Sequence, residues 1–144
     1  MTKLYNVLFP IWLLFLVPTV WLIAIPTNFI IDSIVLLISM KVLKIEDKKE
    51  FYLKHIFFIF LFGFLSDMLG ALMLLTITVI SQSITGLEPW LALIGVLVAC
   101  FFIFFFNYSF TFRKLEESQR RKLSLIFAIF TAPITFLIPT SLFM

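Results

Sequence analysis

The length of its uncharged runs constrains this chain more than anything else. From His55 to Ile80 the only charged residue is Asp67, and Pro89 to Phe112 and Leu123 to Met144 contain none. A helix rises about 1.5 Å per residue and the hydrocarbon layer is about 30 Å thick, so about 20 mostly apolar residues span it. Each run meets that length. A further apolar region, Leu4 to Leu43, would make a single helix of roughly 60 Å, twice what a bilayer needs. It is therefore expected to break, and Pro26-Thr27-Asn28 carries the signal: proline stops one helix, and Thr27 or Asn28 caps the next. The expectation is an all-α polytopic transmembrane bundle, one domain over 1–144. Five spans are expected, at about 4–25, 28–45, 55–80, 89–112 and 123–144. Four spans is the alternative, with residues 4–25 re-entrant or interfacial. The runs do not alternate in polarity, as the strands of a transmembrane barrel would.

Composition closes off the soluble alternatives. Hydrophobic residues make up 62% of the chain and charged residues 13%. A water-soluble domain of this size buries only about two-thirds of the surface its unfolded chain exposes, too little to hide so much apolar area. Cys100 is alone, which excludes an internal disulfide and a cysteine metal pair; within its apolar run it reads as a small buried hydrophobe. The basic residues cluster at Lys41, Lys44, Lys48, Lys49 and Lys54, and at Arg113, Lys114, Arg120, Arg121 and Lys122. The positive-inside rule puts the N-terminus and both clusters in the cytoplasm of a multi-pass inner or plasma membrane protein. Loops of about ten residues without interleaved aromatics give no surface for nucleic acid. Lys3 and the apolar run after it resemble a signal, but no small-x-small cleavage site follows, so an uncleaved first span is expected.

The informative residues are the acids left inside the membrane. An ionisable group there costs several kcal/mol unless it is paired, wetted or protonated. Asp67 lies near the middle of the third span and Asp32 in the second. Counted from the charged loop joining these two helices, each is about thirteen residues away, so both rise roughly 19 Å above it. Ser33 and Ser66 are their neighbours. Gly63, Ser66, Asp67, Gly70 and Ala71 recur at intervals of three and four and share one face, where small residues let helices approach closely. Asn28, Asp32 and Ser39 form a sparser polar stripe. Asp32 and Asp67, with Ser33, Ser66 and Asn28, are thus candidates for a proton or small-cation site or for helix packing. Gly63, Gly70 and Ala71 are candidates for packing alone. A basic residue on a partner subunit is the third reading of the acids.

Other features have plainer readings. Asn107, Tyr108 and Ser109 read as an interfacial helix end, Trp90 as an interfacial anchor, and His55 as a solvated loop histidine. Pro133 and Pro139 read as a kink in the fifth span, with Thr131, Thr135 and Thr140 re-satisfying freed carbonyls. No zinc spacing, nucleotide loop or nucleophile turn occurs, so no catalytic residue, metal or cofactor is expected.

Two segments carry resemblances. NFIIDSIVLLI at 28–38, followed by GFLSDMLGALMLL at 63–75, resembles uncharacterised small polytopic bacterial membrane proteins, which implies no particular chemistry. NYSFTFRK at 107–114 is similar to the segment closing a span in GtrA-like proteins, which are linked to moving lipid-linked sugars. That family's second copy of the segment and its glycine-bearing first helix have no counterpart here, and the assignment is not adopted. Two function classes remain. One is a non-enzymatic subunit or accessory protein of a membrane assembly, in a homo-oligomer or with a membrane partner. The other is a small proton- or cation-coupled transporter or channel using the Asp pair.

Overall fold

The computed structural model describes residues 18–80 and 88–133. Every regular element among them is helical: α1 (Pro18–Val42), α2 (Lys48–Ile80), α3 (Glu88–Phe106) running into a π-turn (Asn107–Thr111), and α4 (Glu117–Phe130). Among the described residues, three stretches are long and apolar enough to cross a membrane: Trp21–Val42, Lys48–Ile77 and Leu93–Thr111. The chain is a helical membrane protein. Its outward faces suit lipid, with large side chains such as Leu22, Phe57, Leu97 and Phe101 exposed.

The expected break at Pro26-Thr27-Asn28 is absent, because α1 runs unbroken through it. Proline removes one backbone donor, and the Thr27 hydroxyl bonds the Ile23 carbonyl at 2.8 Å within the same turn. In lipid the helix is the only local way to satisfy the remaining backbone groups, so one missing bond does not end it. Residues 28–45 are therefore not a separate span. Most of the expected 4–25 span lies outside the described residues. The start of the fifth span is also revised: α4 begins six residues early, at Glu117, and its regular helix ends at Phe130, ahead of Pro133. The residue before a proline is pushed out of the helical region, and Thr131 closes the helix with both its N–H and hydroxyl on the Phe127 carbonyl. Pro139, Thr135 and Thr140 lie outside the described residues, as does the side chain of Trp90.

The α1–α2 connection is tight. Ile45 N–H bonds the Met40 carbonyl at 3.0 Å and Lys44 N–H the Lys41 carbonyl at 3.4 Å, with Lys44 at φ 52°. This is the Schellman closure, a left-handed residue just past the helix end. It returns Ile45 to pack near Met40.

The interior is split. One apolar cluster lies at the charged-loop end: Leu36, Met40, Ile56, Ile59, Ile103, Phe112, Leu123, Phe127 and Ala128. A second, smaller one holds Ala71, Leu74 and Val96, with Leu75, half-buried Cys100 and Ala132 against it. Along α2, the residues between the two clusters on the buried face are Gly63, Ser66, Asp67 and Gly70. The polar residues thus occupy a layer between two apolar blocks.

Candidate functional site

α2 buries one continuous stripe, from His55 and Ile56 through Ile59, Gly63, Ser66 and Asp67 to Gly70, Ala71 and Leu74. The spacing of three and four is what a helix needs to present one face to its neighbours. That stripe carries Asp67 inward, with only 4% of its surface exposed. The Asn28 amide of α1 donates to Asp67 Oδ2 at 3.3 Å. Asp67 Oδ1 has no hydrogen-bond partner among the described residues. Asp32, also buried, comes over Gly63: a methyl group built on Gly63 would meet Asp32 Oδ2 at 3.5 Å.

The two carboxyls therefore belong to one layer, but they are staggered. Asn28 reaches Asp67, while Asp32 reaches Gly63, one helical turn (~5.4 Å) nearer the charged loop. No hydrogen bond joins the carboxyls directly. α1 reaches Asp67 through Asn28, and among the described residues no basic side chain pairs with it.

The other candidates divide. Ser66 is fully buried beside Asp67, and its hydroxyl donates to the Phe62 carbonyl at 2.6 Å. Ser33 does not join the site. It lies 100° round the helix from Asp32, and its hydroxyl pairs with the Tyr52 hydroxyl at 2.9 Å. Gly70 and Ala71 are buried on the same face of α2. A closer approach than at Gly63 occurs at a glycine the spacing argument passed over: a methyl group on Gly95 of α3 would lie 2.7 Å from Leu74 Cγ.

Two plain readings are overturned. His55 is buried, because α2 starts at Lys48 and His55 already lies two turns inside it. Its ring stacks on Phe51 at 4.1 Å and faces Phe112 at 5.7 Å, and Nδ1 meets the Phe51 carbonyl at 2.8 Å. Asn107 is not an interfacial end residue but fully buried, opening the π-turn. There Phe112 N–H bonds the Asn107 carbonyl, five residues back, in place of the Tyr108 carbonyl it would take in an α-helix. The Tyr108 carbonyl so released accepts from Arg120 Nε at 2.6 Å, and the Arg120 guanidinium lies 3.8 Å from the Tyr108 ring centre. Asn107 Nδ2 donates to the Ile103 carbonyl at 3.0 Å. Its Oδ1, and the hydroxyl of buried Thr111, find no partner among the described residues.

Comparison with family models, with curated proteins and with solved structures returned no match. The site is therefore read from its own chemistry.

Proposed function

We propose that this chain is a non-enzymatic subunit or accessory protein of a membrane assembly, and that its working part is a proton-binding carboxyl pair, Asp67 with Asp32. The observation that carries this reading is the environment of Asp67: one oxygen held by Asn28, the other without a partner among the described residues, in a layer enclosed by apolar clusters. A carboxylate there is costly to ionise, and a second carboxylate one turn away adds repulsion, so the layer favours a bound proton. The amides, hydroxyls and carboxyls of the layer supply no nucleophile with an adjacent base, which suits binding rather than bond-making chemistry. Both basic segments, 41–54 and 113–122, face the cytoplasm in this reading, in the inner or plasma membrane of a bacterium.

Infrared titration of the full chain in lipid tests it. A carboxylic C=O band that shifts with pH and is lost in Asp67→Asn supports the proposal; the absence of any Asp67-dependent band refutes it. A second reading, a small proton- or cation-coupled transporter or channel, is favoured by the same unpartnered Oδ1, which leaves one carboxyl oxygen free for a transported ion. Flux into liposomes that needs Asp67 and no second protein selects it.

A further inference from the structure

The two orphaned oxygens of the π-turn call for an explanation of their own. Buried polar atoms without partners are few in folded proteins, and they mark internal water, ions or functional strain. Among the described residues, Asn107 Oδ1 and Thr111 Oγ1 are two such atoms, four residues apart on one turn. π-turns are themselves concentrated at functional sites. This one is held open from outside its own helix, since Arg120 of α4 occupies the carbonyl that the turn releases.

Its height in the bundle links it to the carboxyls. Phe62 of α2 stacks on Phe106 at 5.2 Å and lies 5.7 Å from the Phe110 ring, while Gly95 lies against Leu74. That antiparallel register sets Asn107 level with the Phe62–Gly63 step, the height at which Asp32 crosses α2. Thr111 is a turn nearer the charged 113–122 segment. Gly63 has no side chain to fill the layer between α1 and α3.

We propose that the π-turn anchors a short chain of internal water, bonded to Asn107 Oδ1 and Thr111 Oγ1, that connects the Asp32/Asp67 pair to the charged-loop side. A buried water makes about three hydrogen bonds to otherwise unsatisfied groups, and these two oxygens supply two of them. Neither Asn107 nor Thr111 gives up a proton. They hold the water, a proton arriving on it passes to a carboxylate, and the reverse path returns it. The relay then crosses the larger apolar cluster at the charged-loop end, where Thr111 lies two residues from exposed Arg113. This inference rests on the proton-binding reading of Asp67.

The test is the hydrogen–deuterium exchange rate of the Asp67-dependent carboxyl band in the full chain in lipid. Thr111→Val, which keeps the side-chain shape, and Asn107→Leu should each slow exchange by about tenfold or more, the effect of one lost hydrogen bond on a rate. The pH midpoint of the band should not move. An intact band with unchanged exchange in both variants overturns the relay alone, whereas a missing band in the unsubstituted protein overturns the proton-binding reading. Should the variants fold poorly, water-edited NMR on the unsubstituted protein decides. Magnetisation transfer from water to the Asn107 side-chain amide supports the proposal, and its absence refutes it.

Discussion

At the scale of single residues, the layer is decided by where side chains are missing as much as by where they are charged. Gly63 leaves the volume into which the Asp32 carboxyl leans, and Gly95 the volume that Leu74 fills. The two glycines differ in what an added methyl would meet. Gly95→Ala forces a packed leucine aside, and overpacking of this kind costs about 1–3 kcal/mol. Gly63→Ala meets only ordinary contact at 3.5 Å and should stay within about 1 kcal/mol of the unsubstituted protein, since the helix also gains from losing a glycine. Thermal unfolding in detergent compares the two, and an equal loss would contradict the packing described. Asp32 and Asp67 were legible from residue counting, because the rise per residue of a helix is fixed and a short loop ties the two helices at a common origin. The one-turn stagger was not, since the count along α2 began at residue 54, whereas the helix begins at Lys48. Ser33 pairs with Tyr52 across α1 and α2 rather than with the carboxyls, because adjacency in sequence is a 100° rotation on a helix.

At the scale of elements, ends and interruptions were the least legible. Pro26 looked like a stop, yet α1 passes through it, because in lipid the helix has no competitor for its backbone groups. The actual end of α1 is written in Lys44, whose left-handed conformation nothing in its residue type announces. A left-handed non-glycine residue costs about 1–2 kcal/mol, offset in part by the unfolded-state entropy a glycine would add. Lys44→Gly should thus stabilise the bundle by about 0.5–1 kcal/mol, seen as a higher unfolding midpoint; destabilisation would mean that the lysine side chain itself holds the loop. The π-turn was illegible for a related reason. The identity of Asn107 pointed to an interface, and only the packing of α4, which brings Arg120 to the Tyr108 carbonyl, shows why the helix widens and takes Asn107 inside. Glu117 and Arg121 form an exposed pair on the same helix, of the kind that contributes little.

At the scale of the whole molecule, the uncharged runs identified the solvent and hence the class of fold, and the described residues agree on helices throughout. What a run cannot tell is how its buried stripe is shared among neighbours, so the division into two apolar blocks with a polar layer between them emerged only in three dimensions. A chain of 16.8 kDa with helices so widely exposed offers little room for a pathway of its own. Under the subunit reading, mass measurement after gentle extraction should find it in a complex heavier than one copy; a strictly single-copy species would count against that reading. The π-turn also bears on the ancestry of the molecule. Closing a helical turn with a bond to the fifth residue back rather than the fourth is, in the bookkeeping of a sequence, the addition of one residue. A relative whose third helix runs straight would be one residue shorter between Phe106 and Phe112, and that gap would mark the lineages in which Asn107 has no reason to be asparagine.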